Sequence, residues 1–238
     1  MITVDCIADL HGHYPELDGG DLLIVAGDLT AMDTDKENIF MLAWLECQKY
    51  KKIIFVAGNH DNFIQERAYP SSEKMIYLCD SGTEFEGLKI WGSPWTKTFP
   101  EMNPKCKAFT CETDSGLAEN WALIPEDIDV LITHSPPYGI LDTVRRYGLF
   151  SHEREENVGS YSLLVAAKKL RNLKLFVFGH IHGAQGHYKP EEFIKFAEDG
   201  DNEKVFGHPQ CKSFPHIVNA SHVNEYYEPV NNPMRVIL

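Results

Sequence analysis

The architecture of the chain is written most clearly in Ile53-Ile54-Phe55-Val56-Ala57-Gly58-Asn59-His60-Asp61. Its first five residues, four of them β-branched or aromatic, form a run too short for a helix and apolar on both faces. Such a run reads as a buried strand. It breaks at Gly58 into polar residues, and an Asn and a His after a buried strand have no packing purpose. The same pattern recurs on both sides. Residues 2–8 run into Asp9-Leu10-His11-Gly12, and 22–26 into Gly27-Asp28. Val130–Thr133 runs into His134-Ser135-Pro136-Pro137, and Leu175–Phe178 into Gly179-His180-Ile181-His182-Gly183.

Between these runs lie helical patterns over 36–49 and 160–171; the second sets Leu163, Leu164, Ala167 and Leu170 on one face. Strand–helix alternation implies a layered α/β protein, in which ligands bind outside the carboxyl ends of the strands. All five polar loops fall at such ends, so residues distant in sequence can meet. Residues 75–95 read as strands, with Glu86-Gly87 as the hairpin turn between 83–85 and 88–91. The Pro-, Thr- and Lys-rich stretch 94–111 reads as a long surface loop bordering the site. After His187 the pattern weakens into short strands, turns and an acidic loop at 198–203. With no linker, low-complexity stretch or repeat, residues 1–238 are expected to form one domain.

Composition narrows the class of partner. The formal net charge of −13 disfavours a broad nucleic-acid-binding face. Arg145-Arg146 and the basic residues of 168–171 are expected on solvated helix surface. The six cysteines lack a Cys-x-x-Cys pair, which argues against a zinc ribbon, and Cys106 and Cys111 read as free thiols. No apolar run is long enough to span a membrane. The N-terminal run, interrupted by Asp5 and Asp9, does not read as a signal peptide, so the expected location is cytoplasmic.

The five loops supply Asp9, His11, Asp28, Asn59, His134, His180 and His182. Imidazole nitrogens with carboxylate and amide oxygens are a ligand set for first-row divalent metals such as Mn, Fe or Zn. Each residue alone has a bland reading as a turn, cap or loop residue. Seven of them, each loop ending its own strand, are too many for one tetrahedral ion. They suit two ions that share a carboxylate, with Asp28 as the natural bridge. Two divalent ions also explain how an acidic protein could attract a phosphate.

The series D-x-H, G-D, G-N-H-D, a lone H and G-H-x-H resembles the calcineurin-like metallophosphoesterase superfamily. The resemblance implies a four-layered α-β-β-α sandwich, with two mixed sheets face to face and helices outside. It implies Asp9, His11 and His182 on a first metal, Asn59, His134 and His180 on a second, and Asp28 between them. His60 becomes the catalytic proton donor; Asn59 and His13 are expected to touch substrate as well. Trp91-Gly92-Ser93-Pro94-Trp95, then Thr133-His134-Ser135-Pro136-Pro137 with Gly139 and Leu141-Asp142, and Val218-Asn219-Ala220-Ser221 are similar to the metallophosphoesterase-domain family. That family is related to class III cyclic-nucleotide phosphodiesterases. Protein Ser/Thr phosphatases carry G-D-x-x-D-R-G, whereas Gly27-Asp28-Leu29-Thr30 continues here as Ala31-Met32. The phosphate-gripping arginine and the carboxylate that partners the histidine are missing, which leaves Asp61 or a backbone carbonyl to orient His60.

The expected activity is hydrolysis of a small phosphorylated substrate, foremost a phosphodiester of a small or cyclic nucleotide. A phosphomonoesterase or dinucleotide polyphosphate hydrolase could use the same centre. A non-catalytic scaffold of this fold is disfavoured, because the metal ligands and His60 are all retained.

Overall fold

Alternation along each buried run sorts its side chains onto two faces, and both faces need cover. The computed structural model, which describes residues 1–67, 69, 71–99, 103–147, 153–192 and 214–238, supplies that cover from two directions. In chain order come β1 (Thr3–Ile7), β2 (Gly20–Ala26), α1 (Asp35–Cys47), β3 (Tyr50–Val56), α2 (Asn62–Glu66) and β4 (Met75–Tyr77). Next are β5 (Ser81–Phe85), β6 (Leu88–Ser93), β7 (Thr96–Lys97), β8 (Thr110–Cys111), α3 (Asp114–Trp121) and β9 (Val130–Thr133). Then follow β10 (Thr143–Tyr147), β11 (Glu153–Asn157), α4 (Tyr161–Ala167) and β12 (Leu175–Phe178). The chain ends with β13 (Gly186–Tyr188), β14 (His216–Asn219) and β15 (Met234–Ile237).

One sheet has the order β15-β1-β2-β3-β4, and a second the order β13-β14-β12-β9-β6-β5. Each is parallel through its middle and antiparallel at an edge, so both are mixed. Val4, Cys6, Leu22, Ile24, Ile54 and Val56 of the first sheet pack against Ile90, Val130, Ile132, Leu175, Val177 and Val218 of the second. The opposite faces are covered by helices. Met41 and Leu45 of α1 and Ile64 of α2 lie on Leu23, Val25, Ile53 and Phe55. Leu117 and Trp121 of α3, with Leu163 and Leu164 of α4, lie on Leu131, Phe176 and Ile217. This is the expected four-layered arrangement.

Helix ends follow local chemistry. Thr34 caps α1 by accepting the Glu37 N–H (3.2 Å), and Ser160 caps α4 by accepting the Leu163 N–H (3.1 Å). The pattern over 160–171 overshoots: after Ala167 the N–H groups of Lys169 and Leu170 reach back only three residues, and that of Arg171 turns to the Glu126 carbonyl. Glu86 and Gly87, with φ of 48° and 80°, form the expected hairpin turn.

Two regions differ from expectation. The stretch 94–111 is not simply a surface loop: β7 and β8 pair in parallel, and Ala108 and Phe109 are buried. A ladder of two residue pairs is too short to leave a periodic signature. Arg145 and Arg146 lie on a strand rather than a helix, in the ribbon of β10 and β11. There exposed Arg145 stands 3.7 Å from Glu155. The acidic loop at 198–203 falls outside the described residues. Among the described residues no helix is long and apolar enough to cross a membrane.

Candidate metal centre

The strand-end loops hold their donors inward against local preference. Asp9, His11, Asp28 and His180 have φ of 52°, 41°, 51° and 69°. Left-handed backbone costs a non-glycine residue roughly 1–2 kcal/mol, and such outliers cluster at functional sites. The Asp9 carboxylate accepts the His180 N–H at 3.0 and 2.9 Å and the Ser221 hydroxyl at 2.6 Å. Asn219 steadies that corner, its Nδ2 donating to the carbonyls of Leu141 (3.0 Å) and Ile181 (2.9 Å). Asp28 Oδ1 accepts the His60 N–H at 2.9 Å. His134 Nδ1 faces the Ala26 carbonyl at 3.0 Å and carries its proton there. Its Nε2 is thereby turned toward Asn59 Oδ1 (3.1 Å) and Asp28 Oδ1 (3.4 Å). Asn59 Nδ2 donates to the Cys106 carbonyl (3.2 Å), which fixes its amide oxygen inward.

Two donor groups result. Asp9, His11, Asp28 and His182 form one; Asp28, His134 and His180 form the other, with donor atoms within 4.8 Å in each. Asp28 belongs to both, and Asn59 joins the second through His134. His11 Nε2 lies 3.2 Å from His182 Nε2 and 3.6 Å from Asp28 Oδ2, while His182 Nε2 lies 3.5 Å from Asp9 Oδ1. Imidazole nitrogens converging on buried carboxylates are the donor chemistry that divalent first-row ions require, so the residues fit the implied pair.

Electrostatics favour the same reading. Burial holds His11 down at about 4 and His180 at about 3, so both are neutral donors at physiological pH. Burial pushes Asp9 up, but neighbouring His182 outweighs it and brings the carboxyl to about 2. Asp28 lies well below the usual carboxylate range: burial opposes ionisation, and His134 and His60 overcome it. Burial likewise disfavours charge on His134, yet the Asp28 carboxylate raises it to about 9. His134 would have to give up that proton to hold an ion.

His60 sits at the edge of the cluster, with Nε2 3.9 Å from Asp28 Oδ2 and its ring edge-on to His11. Asp61 does not orient it. That carboxylate is buried beneath the loop, where it accepts N–H groups from Gly58 (2.8 Å), Leu29 (3.1 Å) and Thr30 (3.3 Å). The atom facing His60 Nδ1 is instead Cys106 Sγ, at 3.5 Å. His13 is exposed and is not among the residues lining the cleft, so nothing supports the substrate contact expected of it. The cleft above the donors has a volume of about 810 Å³, and Asp28, Asn59, His60, Phe99, His180 and Tyr227 are among its walls. Sequence reading missed Ser221, Asn219, Cys106 and Tyr227 as parts of this site. The tail motif around Asn219 was the one signal that could have pointed to any of them.

The Calcineurin-like phosphoesterase family model matches residues 2–184, a span containing every donor, and the chain belongs to this family. Within it, the chain is 31% identical over 261 residues to human Metallophosphoesterase domain-containing protein 1, covering 98% of this chain and 70% of that protein. A UPF0046 protein of Caenorhabditis elegans is 30% identical over 206 residues, covering 76% and 69% respectively. Probable rhamnogalacturonate lyase C of Emericella nidulans is 32% identical over 202 residues, but these make up only 18% of that protein. The family and the two donor groups together point to a dinuclear site for divalent ions.

Proposed function

We propose that the chain is a two-metal phosphoesterase that cleaves phosphodiesters of small nucleotides, cyclic ones included. The observation that carries this reading is the pair of donor groups sharing Asp28 on the floor of a cleft of nucleotide size. Asp9, His11 and His182 would hold one ion, Asn59, His134 and His180 the other, with Asp28 serving both. Mn, Fe or Zn suits this mixture. When bound, such a pair supplies a nucleophile from water near neutral pH and positive charge for the phosphoryl oxygens.

The chain's own residues do the rest. His60, at the cleft wall and not needed in either donor group, delivers a proton to the leaving oxygen. Asn59 touches the cleft as well as the donors and can position an ester oxygen. The diester preference follows from what grips the spare oxygens. A monoester dianion is best held by forked cationic donors. Among the described residues lining this cleft there is no arginine, and Lys97 is its one fixed cation. A diester has one negative charge and one fewer free oxygen, so it needs less.

The test compares kcat/KM for bis(p-nitrophenyl) phosphate and p-nitrophenyl phosphate with Mn²⁺, then for 2′,3′- and 3′,5′-cyclic nucleotides. Diesters should be cut better. A clear preference for the monoester, or for dinucleotide polyphosphates, overturns the diesterase assignment and leaves the phosphoesterase standing.

A further inference from the structure

We propose that Tyr227 is a substrate-contacting residue of this centre: its ring closes the cleft over His11 and His182, and its hydroxyl donates a hydrogen bond to an oxygen of the bound ester. The inference rests on the phosphoesterase reading and adds a residue that none of the five strand-end loops contains.

Its placement is the first observation. The Tyr227 ring lies 4.8 Å from His11 and 5.2 Å from His182, edge-on to each, and 6.4 Å from His60. It therefore stands over three rings of the centre at once. It lines both the cleft above the donors and the neighbouring one, as Val144, Asn157 and His182 also do.

The second observation is how it is held. Tyr227 has φ of 62°, a conformation that a bulky residue adopts only under constraint. The constraint is a turn knotted on Asn224, whose side-chain oxygen accepts the N–H groups of Tyr226 (2.9 Å) and Glu228 (3.0 Å). The Tyr227 N–H bonds to the Asn224 carbonyl (2.9 Å), and Asn224 Nδ2 donates to Glu228 (2.8 Å). A turn this well tied presents the ring at a fixed height rather than letting it swing.

The third is what the ring leaves unused. Tyr227 is 50% exposed, and its hydroxyl has no hydrogen-bond partner among the described residues. The hydroxyl of Tyr50 is engaged by Asp5 and that of Tyr14 by the Leu29 carbonyl, while those of Tyr69 and Tyr77 are unpartnered but buried, and neither residue lines the cleft. A phenol is a neutral O–H donor at physiological pH. No arginine is among the described residues lining the cleft above the donors, and there a neutral donor suits a singly charged diester better than a dianion. An aromatic cover that merely shields the imidazoles would need the ring but not the hydroxyl, and this separates the two readings.

The experiment uses the full chain loaded with Mn²⁺ and the variants Tyr227→Phe and Tyr227→Ala. It measures bound metal, the dissociation constant for inorganic phosphate by calorimetry, and kcat/KM for bis(p-nitrophenyl) phosphate. Tyr227→Phe should keep its metal and weaken both phosphate binding and kcat/KM about 3- to 10-fold, the worth of one neutral hydrogen bond. Tyr227→Ala should lose at least as much. Phosphate affinity in Tyr227→Phe equal to that of the unmodified protein overturns the proposal, as does loss of metal from that variant. If the unmodified protein cleaves no ester, the phosphoesterase reading fails, while the calorimetric comparison still decides Tyr227.

Discussion

His60 Nε2 lies 3.9 Å from Asp28 Oδ2, yet the two residues should fail in different ways when removed. Asp28 belongs to both donor groups, and its charge offsets that of the ions. Asp28→Ala is expected to lose metal outright. His60 belongs to neither group, so His60→Ala should keep its metal and lose turnover by about 10²–10⁴-fold, the usual worth of a general acid. The loss should shrink with a nitrophenolate leaving group, which needs little protonation. Metal analysis beside steady-state kinetics decides the matter: equal metal loss in both variants would make His60 a ligand. Ser221 gives a subtler case. Its hydroxyl bonds buried Asp9 at 2.6 Å, and partners of this kind orient a ligand without touching the ion. Ser221→Ala should weaken metal affinity by about 10- to 100-fold, read by competition with a chelating dye; unchanged affinity would make the bond merely structural.

At the scale of elements, the site depends on how closely the strand-end loops approach one another. Gly58 and Gly179 mark the two tightest approaches. A Cβ at Gly58 would meet the Asp28 carboxylate and lie 2.8 Å from the His134 ring. One at Gly179 would meet the Asp9 carboxylate and lie 2.6 Å from Ala8 Cβ. Gly58→Ala and Gly179→Ala should therefore displace donors and lower metal content while the sheets still form. Full metal occupancy in both variants would show that the loops yield at no cost. These loops were legible in the sequence because each follows a run such as Ile53 to Val56, buried on both faces and ended by residues with no packing role. The hairpin of β5 and β6 was legible because Gly87 accepts positive φ freely, although Glu86 takes it too. What escaped notice acts at long range or without periodicity. Ser221 reaches Asp9 across 212 residues of chain. Cys106 reaches His60 from a segment whose paired strands are two residues each. Asp61 was misread for a different reason. Adjacency to His60 suggested a partner, but the α2 N-terminus turns its carboxylate under the loop, where it ties residues 28–30 to 58–61.

At the scale of the molecule, the centre is built across the seam between two sheets. Asp9, His11, Asp28 and Asn59 follow strands of the first sheet, while His134, His180 and His182 follow strands of the second. Apolar packing already joins the sheets along their inner faces. At the carboxyl edge the joint is polar: the Ala8 N–H bonds to the Ala220 carbonyl (2.8 Å), and His134 bonds to that of Ala26. Without ions, this edge also gathers the ionised carboxylates of Asp9 and Asp28 in a protein of net charge −13. Ions that bind only where the sheets meet bind the native state and not the unfolded chain, so they should act as staples between the layers. Free metal at about 100 times its dissociation constant adds roughly 2.7 kcal/mol per site. For a chain of this size that corresponds to about 5–10 °C in Tm per site, so roughly 10–20 °C for two. Thermal scans of the protein stripped by a chelator and then resupplied with Mn²⁺ should show a rise of that order. Asp28→Ala, which removes the donor common to both groups, should show almost none at the same ionic strength, which excludes simple screening of the acidic surface. An equal rise in that variant would mean that the stabilising ions bind elsewhere and that the seam holds without them.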